Sequence, residues 1–250
     1  MTELIVLFVL LIAFLIWFMP VLKREKEREG FADRKTKIIA FVYGLIPAAI
    51  VLLLCQFGLG ALFKLAGVQE GTILLAALQA FIMYGTVEEL TKYGFARLSF
   101  NKIEKLKKAD IMVLFGLVGM GYEVTETLIT GNIIAGAIRG FFLAHVMYQF
   151  IMGHFYSESL YAKNNGDAAK AKKYLFLSFF VPIIIHGIND FLAELITFAS
   201  EMGEQTGESF GMGQLWMIVI NVVLIILNGG CLIWGLKLTK KEPEREITLQ

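Results

Sequence analysis

Glu88, Glu89 and Lys92 stand inside an apolar run, and so do Glu123 with Glu126, His145, and His186 with Asp190. An ionisable side chain at bilayer depth costs on the order of 2.5–3.5 kcal/mol on insertion scales, so a concentration of them marks chemistry. Acids and imidazoles brought to one level can activate water, relay protons or bind a cation. Glu88 and Lys92 are four residues apart and can pair along one helix face, which would leave Glu89, about 100° round the helix, to face another partner. His186 and Asp190 have the same spacing, so Asp190 could fix the tautomer and orientation of the imidazole. The acids outnumber Lys92 and Arg139, so some must be protonated, hydrated or bound to a cation.

These residues require helices to carry them across a membrane. The chain has 250 residues, 57% of them hydrophobic, and a positive mean hydropathy. Seven apolar segments, about 4–22, 38–62, 72–96, 111–130, 133–157, 174–199 and 214–236, are each long enough to cross a hydrocarbon core of about 30 Å as a helix. They lack the alternation of barrel strands. The expected fold is therefore all-α, a polytopic transmembrane bundle forming a single integral membrane domain over 1–250. The ionisable residues place a reactive core at about 72–199, in spans three to six, with three helices around it. Counting about 1.5 Å per residue from the basic flanks puts His145 and His186 each about 18 Å from one boundary, with Glu89 within a turn of that depth.

Charge placement sets the orientation. The loops after spans one, three, five and seven hold 20 of the 23 basic residues, whereas the opposite loops have only Lys64. By the positive-inside rule the N-terminus is outside and the C-terminus cytoplasmic. The first stretch, Leu4 to Leu22, is followed by Lys23 and Arg24 rather than preceded by positive charge, so a retained span is expected and not a signal peptide. Gly203, Gly207, Gly211 and Gly213 suggest a flexible outer loop. Cys55 and Cys231 lie in apolar runs and form no disulfide or zinc-finger pattern. A net charge of +1 gives no sign of nucleic acid as a partner. Gly116, Gly119 and Gly121 read as close helix packing. His154 and Glu158 are near a boundary and read as structural or solvated, and Arg139, near the outer end of span five, as an anchor to headgroups or to Glu126.

The run Val87-Glu88-Glu89-Leu90-Thr91-Lys92 resembles the EExxK motif of PrsW-type intramembrane proteases. Gly119-Met120-Gly121-Tyr122-Glu123-Val124-Thr125-Glu126 is similar to that family's G-x-G-aromatic segment ending in glutamate. His145 occupies its mid-helix histidine position, and His186-Gly187-Ile188-Asn189-Asp190-Phe191 its HGxxD/N-aromatic motif. The resemblance covers residues 80–195. Thr127 stands where an asparagine is expected, and Glu123 is an additional acid. The related CAAX-type proteases carry EExxxR, and here that last position is Tyr93. The resemblance implies a prokaryotic cell-membrane protease that cuts the outer part of single-span anti-sigma factors.

Peptide hydrolysis needs an activated water, a proton donor for the leaving amine and stabilisation of the oxyanion. Glu88 or Glu89 is the expected base, with His145 and His186 holding water or the tetrahedral intermediate, Asp190 orienting His186, and Lys92 tuning the carboxylates. The second chemistry is a zinc site of Glu126, His145 and His186 with Glu88 or Glu89 as base. Serine chemistry is disfavoured, since no serine lies centrally in spans three to six. A proton-coupled transporter or channel would use the same chain of acids and histidines, but the inverted repeat it calls for is not evident. A non-catalytic scaffold binding a partner helix would tolerate loss of Glu88, Glu89 and His186.

Overall fold

The computed structural model describes residues 2–27, 31–54, 58–69, 71–130, 140–206, 212–241 and 245–249. Arg139, Cys55, Gly207 and Gly211 lie outside the described residues. Among the described residues there are seven long helices and one short one. Helix α1 consists of Thr2–Ala13, a wide-turn π stretch Phe14–Phe18, and Met19–Glu27; α2 is Arg34–Leu54 and the short α3 Gly60–Leu65. Helix α4 is built from Ile73–Leu78, a second π stretch Gln79–Glu88, and Glu89–Ser99. Then follow α5 (Lys108–Thr130), α6 (Ala144–Asn164), α7 (Ala168–Thr206) and α8 (Met212–Lys241).

Among the described residues five stretches, Leu7–Glu27, Ile73–Ser99, Lys108–Ile129, Ala168–Phe198 and Gln214–Lys240, are long and apolar enough to cross a membrane. Helices α2 and α6 are 21 residues each. The polar pattern is inverted relative to a water-soluble domain. Ile226 is 68% exposed and Phe176 60%, while Glu89, Lys92, His145 and His186 are at 0%. Apolar side chains outside and charges inside are what a lipid solvent selects. The chain is an all-α integral membrane protein.

Helix α5 is the most enclosed of the five and packs on α2 and α6, while α6 also meets α7 and α8. Glycines permit this closeness. A Cβ on Gly121 would lie 2.3 Å from the Phe41 carbonyl oxygen, and one on Gly119 would lie 2.6 Å from that of His145. The expectation of close packing at these glycines holds, and the backbone approach allows dispersion contacts that side chains would prevent.

The structure departs from the sequence reading in three places. Span five was expected to be one helix over 133–157, but Leu143 adopts φ 49°, in the left-handed region, and a new helix starts at Ala144. Helix α7 continues to Thr206 and α8 begins at Met212, so Gly203 and Gly213 are helical rather than loop residues. A two-stranded antiparallel sheet, β1 (Lys105–Lys107) with β2 (Glu246–Thr248), ties the last residues to the α4–α5 connection. Its inward residues Leu106 and Ile247 are fully buried. Glu158 is not simply solvated: Lys108 pairs with it, and Arg245 approaches to 3.8 Å.

Helix starts near the basic loops are capped as their sequences suggest. Asp33 accepts the Thr36 backbone N–H at 2.7 Å and Asp167 that of Lys170 at 3.0 Å. Hydrogen bonds from Thr36 hold the Asp33 carboxyl below its ordinary range, and those from Lys170 do the same for Asp167.

Candidate active site

The π stretch of α4 ends at Glu88 and regular helix resumes at Glu89. Widening the turn frees backbone carbonyls, and the Thr86 hydroxyl donates to the Phe81 oxygen at 2.8 Å, five residues back. At the same level α4 comes close to α7. A Cβ on Gly85 would be 2.9 Å from the Ile183 carbonyl oxygen, and one on Gly187 would be 2.3 Å from the Phe81 ring. The close approach sets Glu88 and Glu89 against His186.

Glu89 is the most heavily bonded group of the site. Its Oε1 is 2.6 Å from Lys92 Nζ and 2.8 Å from His186 Nδ1, and its Oε2 accepts from Gln149 Nε2 at 2.7 Å. Lys92 therefore favours Glu89 over Glu88, whose Oε2 is 3.6 Å away, in contrast to the pairing expected from sequence. Spacings of three and four residues both lie on one helix face, and the Lys92 ammonium is drawn toward a further acceptor, His145 Nδ1 at 2.9 Å. It also lies 4.2 Å from the centre of the Tyr122 ring.

His186 uses its two nitrogens differently. Nδ1 faces Glu89, while Nε2 makes no hydrogen bond and is 3.2 Å from Asp190 Oδ2 and 3.7 Å from Glu88 Oε2. Two carboxylates therefore flank the ring, Glu89 at Nδ1 and, as the i,i+4 spacing suggests, Asp190 at Nε2. Asp190 shares its side of the ring with Glu88. The His145 and His186 rings are 5.0 Å apart, and Tyr148 stacks on His186 at 5.2 Å.

The helix break places His145 at the start of α6, where backbone N–H groups lack intrahelical partners. Glu123 Oε2 accepts the His145 N–H at 3.0 Å, and Glu126 Oε2 lies 2.6 Å from His145 Nε2. The additional acid is therefore a cap on the histidine's own helix, with its negative charge at the positive end of the dipole. His154 lies about two and a half turns farther along α6, on the opposite face from His145 and beside Phe155, away from this cluster.

Among the described residues two sets of groups have ligand atoms within 4.8 Å of one another: Glu88 with His145 and His186, and Glu123 with Glu126 and His145. The sequence-derived trio of Glu126, His145 and His186 is split between them: His145 belongs to both sets, His186 to the first and Glu126 to the second. In the first set two ligand atoms stand open to a metal, whereas His145 has Nδ1 2.9 Å from Lys92 and Nε2 2.6 Å from Glu126 and would have to turn from one of them to become the third ligand. A neutral His186 donating from Nδ1 to Glu89 keeps its Nε2 lone pair, and both Nε2 and Glu88 Oε2 are buried without a hydrogen bond. Gln149 was missed in the sequence, although it stands one turn after His145 on the same face, because only ionisable residues were weighed there.

The family described as PrsW family intramembrane metalloprotease matches residues 33–227. Protease PrsW of Geobacillus kaustophilus (strain HTA426) is 26% identical over 164 residues, 60% of this chain and 69% of the relative. Protease PrsW of Shouchella clausii (strain KSM-K16) is 27% identical over 203 residues, 76% of this chain and 84% of the relative. No solved structure matches the chain.

Proposed function

The chain belongs to the PrsW family of intramembrane metalloproteases, and on that premise we propose that it hydrolyses a peptide bond of a single-span membrane protein at the Glu88–His145–His186 cluster. The observation that carries this reading is the convergence of three helices on two buried, unbonded atoms, Glu88 Oε2 and His186 Nε2, 3.7 Å apart. A water lying off the line between them reaches both at hydrogen-bond length.

Glu88 takes the proton of that water as it attacks the scissile carbonyl, and returns it to the leaving amine. His186 Nε2 accepts the other O–H of that water and so orients it, and the Lys92 ammonium, held beside His145 Nδ1, is the positive charge closest to the oxyanion. Glu89 supports the arrangement from behind, holding His186 at Nδ1 and Lys92 at Nζ. Zinc is the ion that two imidazoles and a carboxylate suit; were it held by Glu88, His145 and His186, Glu88 would serve as its ligand in place of acting as the free base, and the ion would acidify a water and polarise the carbonyl.

The reactive core occupies about 72–199 within one membrane domain of seven spans. The N-terminus is outside and the C-terminus cytoplasmic, as the loop charges support. Anti-sigma-factor-like proteins are the substrate class the family resemblance favours. The test is metal content and cleavage of a single-span reporter by purified wild type, Glu88→Gln, His145→Ala, His186→Ala and His154→Ala. Expected are loss of cleavage in the first three variants, loss of bound zinc in the two cluster histidine variants, and near-normal behaviour of His154→Ala. An active His186→Ala enzyme would refute the assignment.

A further inference from the structure

Helix α8 lies largely against lipid, yet Asn228 in its middle is 1% exposed and donates from Nδ2 to Asn189 Oδ1 at 2.7 Å. Asn189 is itself fully buried on α7, three residues after His186 and next to Asp190. At about 100° per residue, Asn189 stands about 60° round the helix from His186 on one side, and Asp190 about 40° on the other. Helix α7 is thus held from two directions, by Glu89 of α4 at His186 and by Asn228 of α8 at Asn189.

The pair is poorly built for stability alone. Asn189 Nδ2 and Asn228 Oδ1 are buried without hydrogen bonds, and a half-satisfied polar pair stabilises less than an apolar one of the same shape. Polar pairs of this kind are suited to fixing register. Resting on the hydrolase reading above, we propose that Asn228 is a positioning residue for the reaction: through Asn189 it sets the rotation of α7 and so the placement of His186 and Asp190 against Glu88. It lies one residue beyond the segment matched by the family. The leverage is large, because a rotation of about 10° moves a side-chain end at about 6 Å from the helix axis by about 1 Å. A misplacement of that size costs up to about 100-fold in rate.

The test compares kcat and KM, per folded enzyme, for reporter cleavage by wild type, Asn228→Leu and Asn189→Leu/Asn228→Leu, with thermal midpoints measured alongside. The single variant is expected to lower kcat at least about 10-fold with KM within about threefold. The double variant, which leaves no unpaired amide, should recover the thermal midpoint but not kcat. Recovery of kcat in the double variant, or a single variant whose folded fraction is as fast as wild type, would overturn the positioning role while leaving the hydrolase reading intact. A folded wild type that cleaves no reporter would overturn both.

Discussion

Two adjacent glutamates should fail in opposite ways. Glu89 accepts three hydrogen bonds, from Lys92, His186 and Gln149, all fully buried. Glu89→Ala leaves those donors without it and strands the Lys92 charge beside Glu88 at 3.6 Å. Breaking a buried ion pair from one side costs about 3–5 kcal/mol. At about 2–4 °C per kcal/mol for a chain of this size, the thermal midpoint should fall by about 6–20 °C. Glu88 Oε2 has no hydrogen bond to lose, only the looser ion pairs to Lys92 at 3.6 Å and His186 at 3.7 Å. Glu88→Gln should therefore shift the midpoint by no more than about 2 °C while lowering cleavage about 10²–10⁴-fold, the usual contribution of a general base. The assay pairs thermal unfolding in detergent with reporter cleavage in the same preparations. A stable Glu89→Ala protein, or a Glu88→Gln protein that is destabilised but active, would refute the division between support and chemistry.

Three further outcomes follow from the packing and the charges. Glu123→Ala should lose the cap on α6, at about 0.5–2 kcal/mol, and reduce cleavage, whereas Glu123→Gln, which keeps an acceptor, should recover most of both; melting curves with the reporter assay check this. Gly119→Val should be destabilised by about 1–3 kcal/mol and inactive, since its side chain would enter the His145 carbonyl, and a melting curve beside the same assay checks it. Cysteines placed at Lys64 and Asn164 should react with impermeant reagents from opposite sides, Lys64 outside; labelling of both from one side would contradict seven spans.

Much of this was legible because a charge inside an apolar run is rare and expensive. Glu88, Glu89, Lys92, His145, His186 and Asp190 stood out on that ground alone, and the structure gathers them into one cluster. Their partners were harder to read. Which carboxylate Lys92 prefers depends on the π-to-regular transition at Glu88 and Glu89, and such turns leave no periodic signal. The break at Leu143 was hidden because neither glycine nor proline marks it. Without that break Glu123 had no N–H to cap. Gln149, Asn189 and Asn228 are neutral, so a search for titratable groups passes over them. The β1–β2 pairing joins segments far apart in the chain, beyond the reach of local pattern.

The most direct test of the central claim is a product map. Wild type and His186→Ala, reconstituted in vesicles at equal folded amounts, are incubated with a single-span reporter, and the fragments are sequenced by mass spectrometry. The account predicts a new terminus in or beside the reporter's membrane segment with wild type and none with His186→Ala. The same fragments from both proteins would contradict it.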